Sequence, residues 1–458
     1  MKRTIGFTAI TAVAALCALG ASEYGEERSL SFHDLSGRFT TVTENTNFDL
    51  ENPFFRSLGS NGRSCGTCHV ASDAWTITPE HVQARFWGTN GQDPLFNSVD
   101  GSNCGENSPS TFAEAKQAYR LLLDKALIRV KFAIPANAEF QLAATDDPYN
   151  CQSIAGAISV YRRVLPATNL RFLSTVMWDG RENSTGRSVP DDLRSQIIDA
   201  TLGHAQAVNP PARDEIEAIL KFEMGTYSAQ SFSNEAGPLN NSRVHGGPKA
   251  LGNQPFFIGI NDPLGNNPSG AAFDPSVFRL FQHFGNDPDD PRGSRGDGSG
   301  QDLQRERDKI RRGEAIFNTR TFRISNVAGL PFTSASGTCT TCHDTPGAGD
   351  HSVAAPLNIG IADAARRTSD LPLFTLYCPA TRETIQTTDP GRALITGKCA
   401  DIGKFKGPIL RALSARPPYF HNGSAATLGD VVDFYQTRFN IGLTKDDKED
   451  LIAFLKAL

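Results

Sequence analysis

The chain has 458 residues, enough by length for about three domains and a sizeable buried core. Hydrophobic residues make up 39% and charged residues 21%, the proportions of a soluble globular protein. The net charge of −5 offers no basic footprint for nucleic acid, and 41 Gly with 27 Pro point to a body rich in loops.

Residues 1–20 read as an export signal. Lys2 and Arg3 precede an apolar run from Ile5 to Leu19, and Ala18 and Gly20 stand at cleavage-like positions. The run is too short and too rich in small residues to make a good membrane span. Cys17 raises a lipid anchor, but Leu16 is a poor residue to precede a lipidated Cys. Export predicts a periplasmic location and oxidised cysteines.

A first domain is expected over residues 21–233. It carries Cys65-Gly66-Thr67-Cys68-His69, a Cys-x-x-Cys-His, which is the attachment sequence of a c-type haem. Two thiols at this spacing reach the two vinyl groups of the macrocycle, and the next residue, His69, is left to ligate the iron. His81 follows a helix start at Pro79 and reads as structural.

Residues 234–300 form a connecting segment. Gly247-Pro248, Asn266-Asn267-Pro268 and Asp287-Pro288-Asp289-Asp290-Pro291 punctuate it rather than build structure, while Phe256-Phe257 and the Phe278 to Phe284 patch are apolar enough to pack on a domain. A second domain is expected over 301–458. It opens on a helical pattern from Asp302 to Phe317 and then repeats the haem motif as Cys339-Thr340-Thr341-Cys342-His343. Two covalently attached c-type haems are therefore expected, with His69 and His343 as proximal ligands. Strand-like alternation is scarce, so the fold is expected to be mainly α, two cytochrome c-like haem domains with long loops.

Cys104, Cys151, Cys378 and Cys399 remain once the signal and the haem motifs are set aside, an even number for an oxidising compartment. The simplest pairing is local, Cys104 with Cys151 and Cys378 with Cys399, and other pairings stay open.

The second haem motif has no Met after it; apart from Met1 the chain holds only Met177 and Met224. A Met ligand gives an electron-carrying haem its high potential. A sixth ligand drawn from the same domain must come instead from His351, His421, Tyr377, Tyr419, Tyr435 or a Lys. Such a donor lowers the potential and suits oxidative chemistry better than simple electron carriage.

Ala415-Arg416-Pro417-Pro418-Tyr419-Phe420-His421-Asn422-Gly423-Ser424, with Val431-Val432-Asp433-Phe434-Tyr435 after it, resembles a segment of the bacterial di-haem cytochrome c peroxidase superfamily. That superfamily includes the maturation enzymes of methylamine dehydrogenase. Val176-Met177-Trp178-Asp179-Gly180-Arg181 is similar to the family's Trp-Asp-Gly-Arg motif, and the motifs come in the family's order over residues 54–458.

The resemblance implies that the N-terminal haem is the peroxide site and the C-terminal haem receives electrons, with hydrogen peroxide as substrate and a cytochrome c or cupredoxin as donor. It puts Tyr435 where the peroxidases carry the Met ligand of the second haem, as the maturation enzymes do; His421 then has a structural role. Trp178 becomes a relay between the haems, and Gln196 the family's distal Gln. The family's Glu, ten residues on, is replaced here by Gln206, so His204 is the expected proton-transfer group or sixth ligand. Glu223, in Phe222-Glu223-Met224-Gly225, is a second candidate for the base.

The family's calcium ion stays open: Pro418 is kept, but Arg416 stands where a Thr would be and no Asn matches near Arg163-Val164-Leu165-Pro166. A homodimer is compatible with the resemblance. The alternatives are an enzyme that oxidises an organic or protein substrate, and a non-enzymatic di-haem electron carrier.

Overall fold

The computed structural model describes residues 29–44, 47–105, 108–151, 156–183, 186–284 and 299–458. The export signal and Cys17 lie outside the described residues. The structure corrects the expectation of a mainly α chain: helix accounts for 31% and strand for 19%, with the strands in several sheets.

The first sheet has strand order β1-β2-β6-β7, all antiparallel, from β1 (Ser29–Asp34), β2 (Gly37–Thr43), β6 (Thr226–Ser233) and β7 (Gly237–Pro238). β3 (Leu127–Ala133) pairs with β5 (Ala157–Arg163) as a separate antiparallel ribbon. β4 (Gln141–Asp146) is the outer strand of a three-stranded sheet completed by β10 (Leu373–Cys378) and β11 (Glu383–Thr387). β8 (Phe322–Ser325) and β9 (Ser334–Gly337) form a hairpin before the second haem motif.

These strands escape an alternation test because several bury hydroxyls instead of hydrocarbon. Thr41 faces Ser228 across the β2–β6 pair, and their buried hydroxyls bond at 2.7 Å. A buried hydroxyl is tolerated when it is hydrogen-bonded, so Ser and Thr can fill a covered face that the sequence shows as polar.

The helices carry readable caps. α1 (Pro79–Gly88) starts on Thr78 with Pro79 in its first turn. α2 (Phe112–Ala118) and α3 (Arg120–Lys125) follow it. α4 (Val189–Gly203) begins with a Ser188/Asp191 capping box and packs beside α5 (Arg213–Met224). α6 (Pro248–Gly252) and α8 (Ala393–Thr396) are short. α7 (Ser299–Thr319) packs against the last helix, α10 (Lys445–Lys456), after α9 (Leu428–Phe439). α7 meets α10 closely at Gly313, where a Cβ would lie 2.0 Å from the carbonyl oxygen of Asp450.

One large core gathers Phe54, Trp75, Phe172, Leu193, Ile219 and Phe222 around the first haem motif. Another gathers Ile310, Phe317, Val432, Leu451 and Phe454 around the second. Phe278, Phe281 and Phe284 of the connecting segment belong to this second core. Their loop is tied down by buried Glu314, whose carboxylate accepts the amide hydrogens of Leu280 and Phe281 at 2.6 Å each. The disulfides are Cys104–Cys151 and Cys378–Cys399, the local pairs.

Candidate active site and its two cavities

Both haem motifs fold alike. Cys65–Thr67 and Cys339–Thr341 are single 3-10 turns, in which the amides of the second Cys and the His both donate to the first Cys carbonyl. The side chain of Thr67 accepts from the Ser64 amide and that of Thr341 from the Thr338 amide, which closes each turn. All four thiols are free. His69 Nδ1 donates to the carbonyl of Trp75 at 3.1 Å, and His343 Nδ1 to that of Gly349 at 2.7 Å. Each imidazole thus keeps Nε2 as its free lone pair. Burial pushes the pKa of His69 down to about 4 and that of His343 down as well, so both rings are neutral, the form a metal needs.

Each motif opens onto a cavity. The first, about 180 Å³, is walled by Cys65, Cys68 and His69; the second, about 210 Å³, by Cys339, Cys342 and His343. A single water needs only about 15 Å³ by the same kind of measure, and protein interiors are otherwise close-packed. Two mainly apolar cavities of this size, each with a pair of unbonded thiols and an oriented imidazole in its wall, fit a c-type haem in each.

α4 lays Gln196, Ile197, Ala200, Thr201 and His204 along the first cavity, at the spacing of one helix face. His204 ends the helix, and its Nδ1 donates to Asp100 Oδ2. Asp100 is buried and is held in turn by Arg63 Nη1 at 2.6 Å. Arg63 is anchored on the carbonyls of Pro94 and Leu95 at 2.8 and 2.6 Å. Burial works against ionisation of Asp100. The bond from His204 and the charge of Arg63 outweigh it and hold the carboxyl below its ordinary range.

Glu223, in the last turn of α5, also lines this cavity. Its Oε2 has no hydrogen-bond partner, and burial pushes its pKa up to about 8. Gln206 does not line the cavity: its backbone is left-handed and its Oε1 accepts from Asn61 at 3.2 Å. His81 is likewise elsewhere, bonded to Asp73 at 3.2 Å. The structure therefore brings Gln196, His204 and Glu223 together around one cavity and leaves Gln206 and His81 out.

Trp178 lines both cavities. Its Nε1 donates to the Arg163 carbonyl at 2.8 Å, and its ring meets that of His421 edge-on with centroids 6.2 Å apart. The next residue, Asp179, is wholly buried and shares Arg162 with Asp389. This double ion pair fixes the loop that carries Trp178.

Tyr435, on α9, lines the second cavity and its phenol takes no hydrogen bond from the described residues. Burial raises its pKa above the ordinary tyrosine value. His351 lines the same cavity; its Nδ1 donates to Asp344 at 3.0 Å, and its buried Nε2 is unpartnered. His421 stacks on Phe405 with centroids 3.9 Å apart, and burial pushes its pKa down to about 4. Tyr419 is engaged with the Leu413 carbonyl at 2.9 Å, and Tyr377 lies on β10 away from the cavity. No methionine lines the second cavity, whereas Met177 lines the first. Among the described residues no group of three or more His, Cys, Asp and Glu is placed to hold a metal ion.

Sequence reasoning missed Asp100, Arg63, Lys406 and Arg411. None sits in a motif, and each reaches its cavity only through the tertiary fold.

No family model matches the chain. Its sequence is 33% identical over 140 residues to the cytochrome-c peroxidase IdrP2 of Denitromonas iodatirespirans, 28% of this chain and 38% of that one. It is 30% identical over 154 residues to the cytochrome-c peroxidase IdrP1 of Pseudomonas sp. (strain SCT), 29% of this chain and 40% of that one. It is 41% identical over 76 residues to the cytochrome c551 peroxidase of Nitrosomonas europaea, 16% of this chain and 23% of that one. The chain thus spans less than half the length of these curated relatives. A solved structure, that of a MauG-like protein associated with microbial copper homeostasis, aligns over 90% of this chain and 91% of its own, with a TM-score of 0.36 and 16% identity.

Proposed function

We propose that this relative of the di-haem cytochrome c peroxidases is an exported, periplasmic oxidoreductase that reduces hydrogen peroxide to water with electrons from a small cytochrome or cupredoxin. The observation that carries the reading is the first cavity, which His204, backed by Asp100, and the unpartnered acid Glu223 line together with His69. Haem held by Cys65, Cys68 and His69 in this cavity, and by Cys339, Cys342 and His343 in the other, would supply the redox chemistry.

Reducing one peroxide takes two electrons and two protons and releases two waters. The protein must therefore move protons at the first cavity. With Nδ1–H committed to Asp100, His204 presents Nε2 to take a proton from one peroxide oxygen and return it to the other. Glu223 stays protonated up to about pH 8 and can replace a consumed proton. The Gln196 amide can donate a hydrogen bond to bound peroxide. The Trp178 indole, which fronts both cavities, would carry an electron between them.

A second reading draws on one feature of the other cavity. The unpartnered phenol of Tyr435 offers an oxygen ligand in place of methionine, which favours oxidation of an organic or protein substrate.

Low-temperature EPR of the holoprotein, before and after stoichiometric peroxide, tests the proposal. A high-spin ferric population that peroxide converts, with turnover of reduced cytochrome c, is expected. Two low-spin haems inert to peroxide would overturn it. Peroxide conversion without cytochrome turnover would favour the second reading.

A further inference from the structure

The cations that line the cavities sort into two groups. Arg56, Arg63, Arg162 and Arg181 have carboxylate partners: Glu215, Asp100, Asp179 with Asp389, and Asp179. Arg163, Lys406, Arg411 and Arg416 have none within 4 Å among the described residues. Arg163, Lys406 and Arg416 line both cavities, and Arg411 lines the first. The unpaired cations are therefore concentrated in the wall between the two cavities.

Their partners are neutral. Lys406 Nζ donates to the Thr175 carbonyl and Arg411 Nη1 to the Gly347 carbonyl, each at 3.0 Å. Arg416 Nη2 donates to the Ile409 carbonyl. Arg163 is spread over the carbonyls of Lys125, Ala126 and Pro417. Arg411 Nε and Nη2 and Arg416 Nε are buried with no partner at all. The carboxylates nearest in effect, Glu314 toward Arg411 and Asp350 toward Lys406, act from beyond ion-pair distance. Burial pushes Arg411 down to about 9 and Arg416 to about 10, and lowers Lys406 as well, so the protein alone disfavours their charged forms. Buried guanidinium nitrogens without partners are rare because their desolvation is uncompensated, and planar donors of this kind match carboxylates.

We infer that Arg411, Arg416 and Lys406, with Arg163 beside them, form a carboxylate-binding cluster between the cavities, and that its ligands are the haem propionates. The inference rests on the reading that each cavity takes a haem. Two haems bring four carboxylates to four unpaired cations. The arrangement makes the cluster unequal: Arg411 serves the haem at His69 alone, whereas Arg416 and Lys406 face both. The two haems therefore share part of their counter-charge.

The test is a spectroelectrochemical titration of the holoprotein, with covalent haem counted by mass spectrometry. Arg411→Gln is expected to shift the reduction equilibrium of the His69 haem against reduction about tenfold, which is 59 mV for one electron. The His343 haem should stay within threefold. Arg416→Gln is expected to shift both. Arg411→Lys and Arg416→Lys, which keep the charge, should recover most of each shift. Two attached haems whose equilibria stay within threefold in both Gln variants would overturn the inference. A wild-type mass without two haem additions would instead overturn the underlying haem reading. A crystal structure of the wild-type holoprotein gives a check that needs no variant: propionate oxygens are expected within hydrogen-bond reach of Arg411 Nε or Nη2 and Arg416 Nε. Propionates directed away from both residues would overturn the cluster.

Discussion

Asp100 Oδ2 lies 2.5 Å from His204 Nδ1, joining residues 104 positions apart in the chain. Arg63 grips the other carboxylate oxygen from the residue pair next to Cys65, so the end of α4 is tied to the first haem motif through one carboxylate. A histidine held this way has a fixed tautomer and a fixed ring direction. The relationship makes Asp100 a positioning residue, and it acts through His204.

Asp100→Asn should lower the rate of peroxide consumption by about 10–100-fold, the usual effect of removing a partner that orients a ligand or base. His204→Gln should cost more, about 10²–10⁴-fold, the range for a lost acid–base group. Steady-state assays with a reduced cytochrome donor, at equal haem content, give both figures. Equal rates for wild type and Asp100→Asn would remove Asp100 from the mechanism.

Glu223 ties stability to pH. Its ordinary value is 4.5 and burial raises it to about 8 in the folded protein. Between these values the folded state keeps a proton that the unfolded state has released, so stability falls as pH rises through this window. The loss by pH 9 is on the order of a few kcal/mol. Glu223→Gln removes its share of the slope, so urea midpoints of variant and wild type should converge at pH 5 and the variant should be the more stable at pH 9.

Tyr435→Met should raise the potential of the second haem, shifting its reduction equilibrium tenfold or more, about 59 mV. Tyr435→Phe should change the ligand-field signature of that haem in EPR and leave the first haem alone. Spectra and potentials identical to wild type in both variants would show that the phenol does not reach the iron.

Arg162→Met should destabilise the protein by about 3–5 kcal/mol, because it strips buried Asp389 of its cation and leaves buried Asp179 with Arg181 alone. Pairing it with Asp389→Asn should restore part of the loss. Urea unfolding of the single and double variants measures both.

The parts of the molecule legible in the sequence are the local ones. The haem motifs, the start of α1 and the long helix α7 depend on residues close together in the chain, whereas the disulfides join cysteines 47 and 21 positions apart and the sequence left other pairings open. The β-structure was hidden because strands such as β2 and β6 bury Thr41 and Ser228 as a bonded pair of hydroxyls, which a hydropathy pattern shows as polar surface. The placement of Gln196 and His204 on one cavity follows from helical spacing along α4. The geometry behind them does not: Arg63, Asp100 and His204 come from three separate stretches. Gln206, two residues after His204, is turned to Asn61 by a left-handed backbone that no sequence pattern announces.

The pairing of β4 with β10 bears on how the chain reaches its folded state. The contact is reinforced by Arg367, which bonds Asp146 across 221 positions. Closing so long a loop is entropically unfavourable until the contacts on either side of it exist. That sheet is therefore expected to zip late, after both cores have condensed. Because β4 lies between the two haem motifs and β10 and β11 follow the second, it acts as a latch: it can close only on a chain whose two halves have already taken shape.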